Sequence, residues 1–178
     1  MTLTETGSYF ADIANQKART AKGSPVGFFV ASMLAGAFVG IALILAYTTS
    51  AGLPAGVRPL VQGSVFGIGL ILVVLAGAEM FTGHVMYETF GITKRTISWA
   101  DFIMLFVIVW VGNLAGAAVL SFLFAKGGGL VFTTGTFLHD AILKKEDSPF
   151  WPLLCRAILC NWLVCLAIWL AARSRLRS

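Results

Sequence analysis

Charged side chains are scarce in this sequence. Asp, Glu, Lys and Arg make up 12% of its 178 residues, against about 25% in an ordinary soluble domain. So little charge cannot cover a water-facing surface when 58% of the chain is hydrophobic, and a mean hydropathy of +0.87 points the same way. A soluble globular domain is excluded. Histidine is scarcer still, with only His84 and His139, in separate segments. No nucleophile–base spacing or ligand cluster accompanies either, so neither an enzyme nor a cofactor is expected. The three cysteines, Cys155, Cys160 and Cys165, recur every five residues, about 140° apart around a helix. They share no face and have apolar neighbours, so buried free thiols are expected in place of disulfides or metal ligands. The N-terminus lacks the basic region, apolar core and cleavage site of a signal peptide. The net charge of +5 falls largely in loops and tails. It therefore concerns membrane topology and anionic lipid, and nucleic acid is not an expected partner.

What the chain has in abundance is apolar sequence in long runs. Residues 26–47, 60–90, 102–124 and 150–172 each reach the roughly 20 residues that a bilayer requires. The second run is interrupted by Gly77-Ala78-Glu79-Met80-Phe81-Thr82-Gly83-His84. A carboxylate, a hydroxyl, an imidazole and two glycines thus fall at membrane depth. Irregular backbone there is tolerated only where protein buries it or where it lines a polar cavity, and ionisable groups there mark function by default. The pattern predicts a membrane helix ending near Ala76 and a second short piece over 85–90. Glu79 facing a path would repel anions, so its expected role is to hold the break, with Gly77 and Gly83 shaping it. His84 is read evenly as lining or structural.

Around that break the organisation is simple. Residues 1–24 form an amphipathic stretch, with Tyr9, Phe10, Ile13 and Ala14 at helical spacing, expected to lie on the cytoplasmic leaflet. Residues 25–126 hold three spans, the second one broken. Gly36 with Gly40, and Gly112 with Gly116, are pairs of small residues four apart that let membrane helices approach closely. Asn113, between the latter pair, is expected to bond across helices. Residues 127–149 are expected as an outer loop, 150–172 as a fourth span, and 173–178 as a basic tail. With the N-terminus inside, eight Lys and Arg residues fall on the cytoplasmic side and five outside, an orientation that follows the positive-inside rule. The segments starting at Ser24-Pro25 and Ser148-Pro149 open alike, with aromatic residues following, as the beginnings of an inverted repeat would.

Two stretches carry a resemblance. Gly77-Ala78-Glu79-Met80-Phe81-Thr82-Gly83 and Cys160-Asn161-Trp162-Leu163-Val164-Cys165-Leu166-Ala167 resemble the signature segments of the formate/nitrite transporters. Ser24-Pro25-Val26-Gly27-Phe28-Phe29, Arg58-Pro59-Leu60-Val61 and Phe81-Thr82-Gly83-His84 stand nearer the nitrite-channel branch than the formate channels. The match covers about residues 8–172.

The resemblance implies an all-α membrane protein with an aquaporin-like helical bundle of six spans in two inverted repeats, assembled as a homopentamer in the inner membrane. Each protomer would pass small monovalent anions of weak acids, nitrite or formate, passively or with protons. Phe66 and Leu70 would line constrictions, Met80 and Phe81 would stand at the gate, and Thr82 would be the central hydroxyl of a loop. Asn161 would be a pore-proximal amide and Lys145 a vestibule lysine. Only four of the six spans have counterparts here. The fifth and sixth are lacking, with the histidine that the family places on the fifth. The expectations are a truncated chain or one whose remainder is not included. A non-conducting remnant or accessory subunit is the alternative function. A neutral-solute channel is disfavoured because the paired Asn-Pro-Ala boxes of aquaporins are missing.

Overall fold

Apolar content and helix-start signals carry over directly into structure. The computed structural model describes residues 2–129 and 133–175, which form seven helices: α1 (Leu3–Gly23), α2 (Pro25–Ser50), α3 (Arg58–Ala76), α4 (Phe81–Thr93), α5 (Trp99–Lys126), α6 (Thr133–Glu146) and α7 (Phe150–Arg175). Reciprocal capping boxes start two of them, Thr2 with Glu5 at α1 and Ser98 with Asp101 at α5, each satisfying backbone donors that a helix start leaves open. Pro25 opens α2, where a missing N–H costs nothing. Four of the seven, α2, α3, α5 and α7, are long and apolar enough to cross a membrane. At 19 residues α3 meets that criterion by itself, so the segment after the break is more than the short completion expected over 85–90. It is a separate helix with its own neighbours.

The core is a close crossing of α2 and α5. A Cβ on Gly36 would collide with the backbone of Asn113, and one on Gly116 with the backbone of Met33. Side chains cannot yield there as rotamers would, so the small-residue faces are what let these backbones touch. Helix α3 packs on the other side of α2, with Gly69 against Ala42. Helix α4 leaves that layer and packs on α1 and α5.

Three expectations need correction. The apolar face of α1 is covered by protein, not by lipid. Phe10, Ala14, Ala18 and Ala21 are buried, with Phe10 stacked on Tyr87 and Phe90 of α4 and Gly91 leaving room for Ala14. The Lys22–Asp101 ion pair and a hydrogen bond from the Thr96 hydroxyl to the Ala11 carbonyl pin the helix further. The segment expected as an outer loop is in part a helix: α6 occupies 133–146, held near the end of α2 by Tyr47 against Phe137, over whose ring Arg58 also sits. Finally, Cys155 and Cys160 are exposed and Cys165 half-buried, because α7 packs only along its C-terminal half and residues 150–160 are open.

Candidate functional site: a broken helix between two cavities

Gly77 makes the break. It caps α3 at φ +68, a left-handed conformation natural to glycine and strained for other residues. The N–H groups of Gly77 and Ala78 both return to the Val73 carbonyl, closing the helix end. The chain then runs extended through Met80 before α4 begins.

Every polar group of Glu79 in this bridge is engaged. Its N–H donates to the Ala31 carbonyl of α2 at 3.1 Å, and its carbonyl accepts from Asn113 Nδ2 at 2.8 Å. Its carboxylate takes the Lys17 ammonium on Oε1 at 2.5 Å and lies 2.8 Å from His84 Nε2 through Oε2. One residue thus ties α1, α2, α4 and α5 to the break. Asn113 completes the frame. Its second Nδ2 proton goes to the Ser32 carbonyl at 2.9 Å, and its Oδ1 accepts the Phe81 N–H at 3.0 Å.

Removing the lysine isolates a carboxylate oxygen that is largely buried. Lys17→Met is expected to cost about 1–3 kcal/mol, toward the lower end because the Lys17 side chain retains 28% exposure. The measurable consequence is loosening of α1, with trypsin cleavage at Arg19 and Lys22 accelerating about tenfold, the factor that about 1.4 kcal/mol of local opening confers. Unchanged cleavage would remove Lys17 from the anchorage.

Two cavities flank the break and share the Leu70 and Met80 side chains as common wall. On the α1 side lies a polar cavity of about 300 Å³, reached by Tyr9, Gln16, Lys17, Glu79, His84 and Tyr87. On the other side lies an apolar cavity of about 290 Å³, lined among others by Phe66, Phe81, Thr82, Cys160 and Val164. The Thr82 hydroxyl is buried there without a hydrogen-bond partner, and a first-turn position leaves its N–H with no intrahelical acceptor either. A buried hydroxyl without a partner therefore lies at a helix start beside an apolar space, an arrangement suited to a small anion or its acid.

Most of the residues singled out in sequence meet here, with differences. Phe66, Leu70, Met80, Phe81 and Thr82 line the apolar cavity together, but Phe81 and Thr82 belong to the first turn of α4, not to a loop. Gly83 is likewise helical. A Cβ there would press on Ile168 of α7, so it serves helix packing instead of the break. Asn161 does not line this cavity: its amide faces Cys165 Sγ at 3.7 Å, and Cys160 and Val164 take the α7 wall. Lys145 is exposed near the end of α6 and lines neither cavity. Sequence reasoning had Asn113 bonding across helices but did not connect it with the break, and it left out Lys17 and Glu88. The His84–Glu88 spacing of four was a visible sign of a shared helix face, whereas Lys17 carried no sign of its distant partner.

The family model described as formate/nitrite transporter matches residues 5–177. The chain belongs to the formate/nitrite transporter family. Within this family it is 42% identical over 173 residues to the nitrite transporter NirC of Escherichia coli (strain K12), an alignment covering 97% of this chain and 65% of that protein. It is 36% identical to a probable formate transporter of Methanothermobacter thermautotrophicus, covering 85% of this chain and 63% of that one. A solved structure titled FNT family ion channel superposes with a TM-score of 0.91 at 42% identity, over 96% of this chain and 69% of that chain. The chain thus spans about 65% of the length of the nitrite transporters it matches. Four apolar helices and this membership make it a multi-pass membrane protein.

Proposed function

We propose that this formate/nitrite transporter family member conducts small monovalent anions of weak acids, nitrite first and formate second. The observation that carries the proposal is Thr82, which lines the apolar cavity with Leu70 and Met80 and whose buried hydroxyl has no partner. The relatives named as nitrite and formate transporters support the substrate class. An anion approaches through the polar cavity, where the positive charge of Lys17 offsets part of its lost hydration. Leu70 and Met80 form the constriction, with Phe66 and Phe81 beyond it. A bare charge pays heavily in such surroundings, so passage as the neutral acid lowers the barrier. Glu79 and Gly77 keep the break in shape. The α1 end faces the cytoplasm of a cell membrane, and Lys145 with Arg58 draws anions to the other mouth. Assembly is as a homopentamer.

Thr82→Val tests this reading. The substitution keeps the branched shape and removes the hydroxyl, so the fold should persist. Nitrite uptake into proteoliposomes is expected to fall at least tenfold, which corresponds to about 1.4 kcal/mol lost from one hydrogen bond at the barrier. Undiminished uptake would take Thr82 out of the mechanism.

A further inference from the structure

His84 is 1% exposed and lies between two carboxylates. Its Nε2 is 2.8 Å from Glu79 Oε2, and its Nδ1 is 3.1 Å from Glu88 Oε1. A neutral imidazole has one N–H and one lone-pair nitrogen. Two ionised carboxylates against such a ring would leave one contact with lone pair facing lone pair. Both contacts become hydrogen bonds only when a proton lies on each N···O line. One is the ordinary N–H. The other is an additional proton, on the ring or on a carboxyl group.

Charge leads to the same count. Lys17 contributes +1, and Glu79 and Glu88 each −1, so the cluster is neutral only with that proton present. Without it a net negative charge is left at a site where Glu88 is fully buried and its Oε2 has no partner, a costly arrangement. The surroundings offer little alternative compensation. Helix α1 contributes Lys17 and Tyr9, and α4 adds Tyr87 beside the ring. Helix α2 presents the Phe28 ring edge-on, and α3 and α7 place only apolar side chains on this cavity.

We propose that His84, Glu79 and Glu88 form a proton-holding site, balanced by Lys17, that donates its proton to a weak-acid anion in the α1-side cavity. Glu79 and His84 both line that cavity, while Glu88 stands behind the ring. In the step, the proton on the Nε2–Oε2 line moves to an oxygen of the anion. The neutral acid HA and a neutral imidazole result, and the imidazole keeps the Nδ1–H that it donates to Glu88. Water in the cavity then returns a proton to the site, so one proton travels with each anion. The donor role rests on the transport proposed above; the proton count does not.

The test is nitrogen-15 NMR of histidine-labelled full chain in lipid bilayers. His84 and His139 are the only histidines, so His139→Gln assigns the spectrum. Expected at pH 7 is a second proton shared along the ring's contacts in the wild type. In Glu88→Gln the side-chain amide can itself donate to Nδ1, so the extra proton is no longer required and a neutral ring with one N–H at Nε2 is expected. A neutral, singly protonated His84 in the wild type, together with carbon-13 carboxyl shifts showing Glu79 and Glu88 both ionised, would overturn the proposal.

Proton and nitrite uptake are then measured in proteoliposomes. Co-uptake of protons with nitrite is expected, falling at least tenfold in Glu88→Gln while Thr82→Val leaves the NMR signature intact. Proton coupling unchanged in Glu88→Gln would overturn the donor role. A wild type with the NMR signature but no nitrite flux would overturn transport and the donor role together, and leave the proton site standing.

Discussion

Asn113→Leu is expected to destabilise the protein by at least about 3 kcal/mol, since three backbone groups lose a partner at once and each unsatisfied buried group costs about 1–3 kcal/mol. The groups are the Ser32 and Glu79 carbonyls and the Phe81 N–H. They lie on α2, on the break and at the start of α4, so the loss is not confined to one helix. Reversible unfolding in mixed micelles, followed by tryptophan fluorescence, would measure it. Asn161→Leu is the internal control. That amide makes one long contact to a sulfur, so its loss should cost less than about 1 kcal/mol. Equal losses at the two positions would show that Asn113 does not organise the break. Nitrite uptake should fall with Asn113→Leu as well, because the same amide sets the position of Phe81 and hence of Thr82 beside it.

The second large effect is expected at the α2–α5 crossing. Gly116→Ala puts a methyl group into the backbone of Met33, and Gly36→Ala does the same against Asn113. Overpacking of this kind costs about 1–3 kcal/mol, and more where neither side can move. Here the obstructing atoms are backbone, so the helices must separate. Each single substitution should lower the midpoint of thermal unfolding in detergent, and the double variant should fail to give a monodisperse protein. Gly63→Ala provides the comparison, because nothing lies near a Cβ there. That substitution should be neutral or slightly stabilising, as alanine is the better helix former. If Gly116→Ala were as harmless as Gly63→Ala, the close crossing would not be a determinant of stability.

Much of this architecture follows from local sequence. Span-length apolar runs identify α2, α3, α5 and α7, and the position of Gly77 among polar residues locates the break, because hydropathy and backbone preference act within a few residues of themselves. The paired small residues of α2 and α5 already announced a helix crossing, since in lipid close approach needs the absence of side chains. Helix α6 escaped notice because its mixed polarity resembles a loop. The face of α1 was legible as apolar, but what covers it was not: lipid and the aromatic side of α4 satisfy the same hydropathy. Pairing across the chain lay further out of reach. Lys17 meets Glu79 across 62 positions and Asn113 meets Ser32 across 81, and no periodicity links such residues. The two asparagines make the point most plainly. Asn113 and Asn161 are alike as intramembrane amides in the sequence, yet packing turns one into a threefold clamp on the break and turns the other toward a sulfur. Sequence alone therefore determined which segments enter the membrane and where one of them breaks. Tertiary structure decided which polar groups meet at that break, because hydrogen bonds and charges find their partners only after the helices have packed.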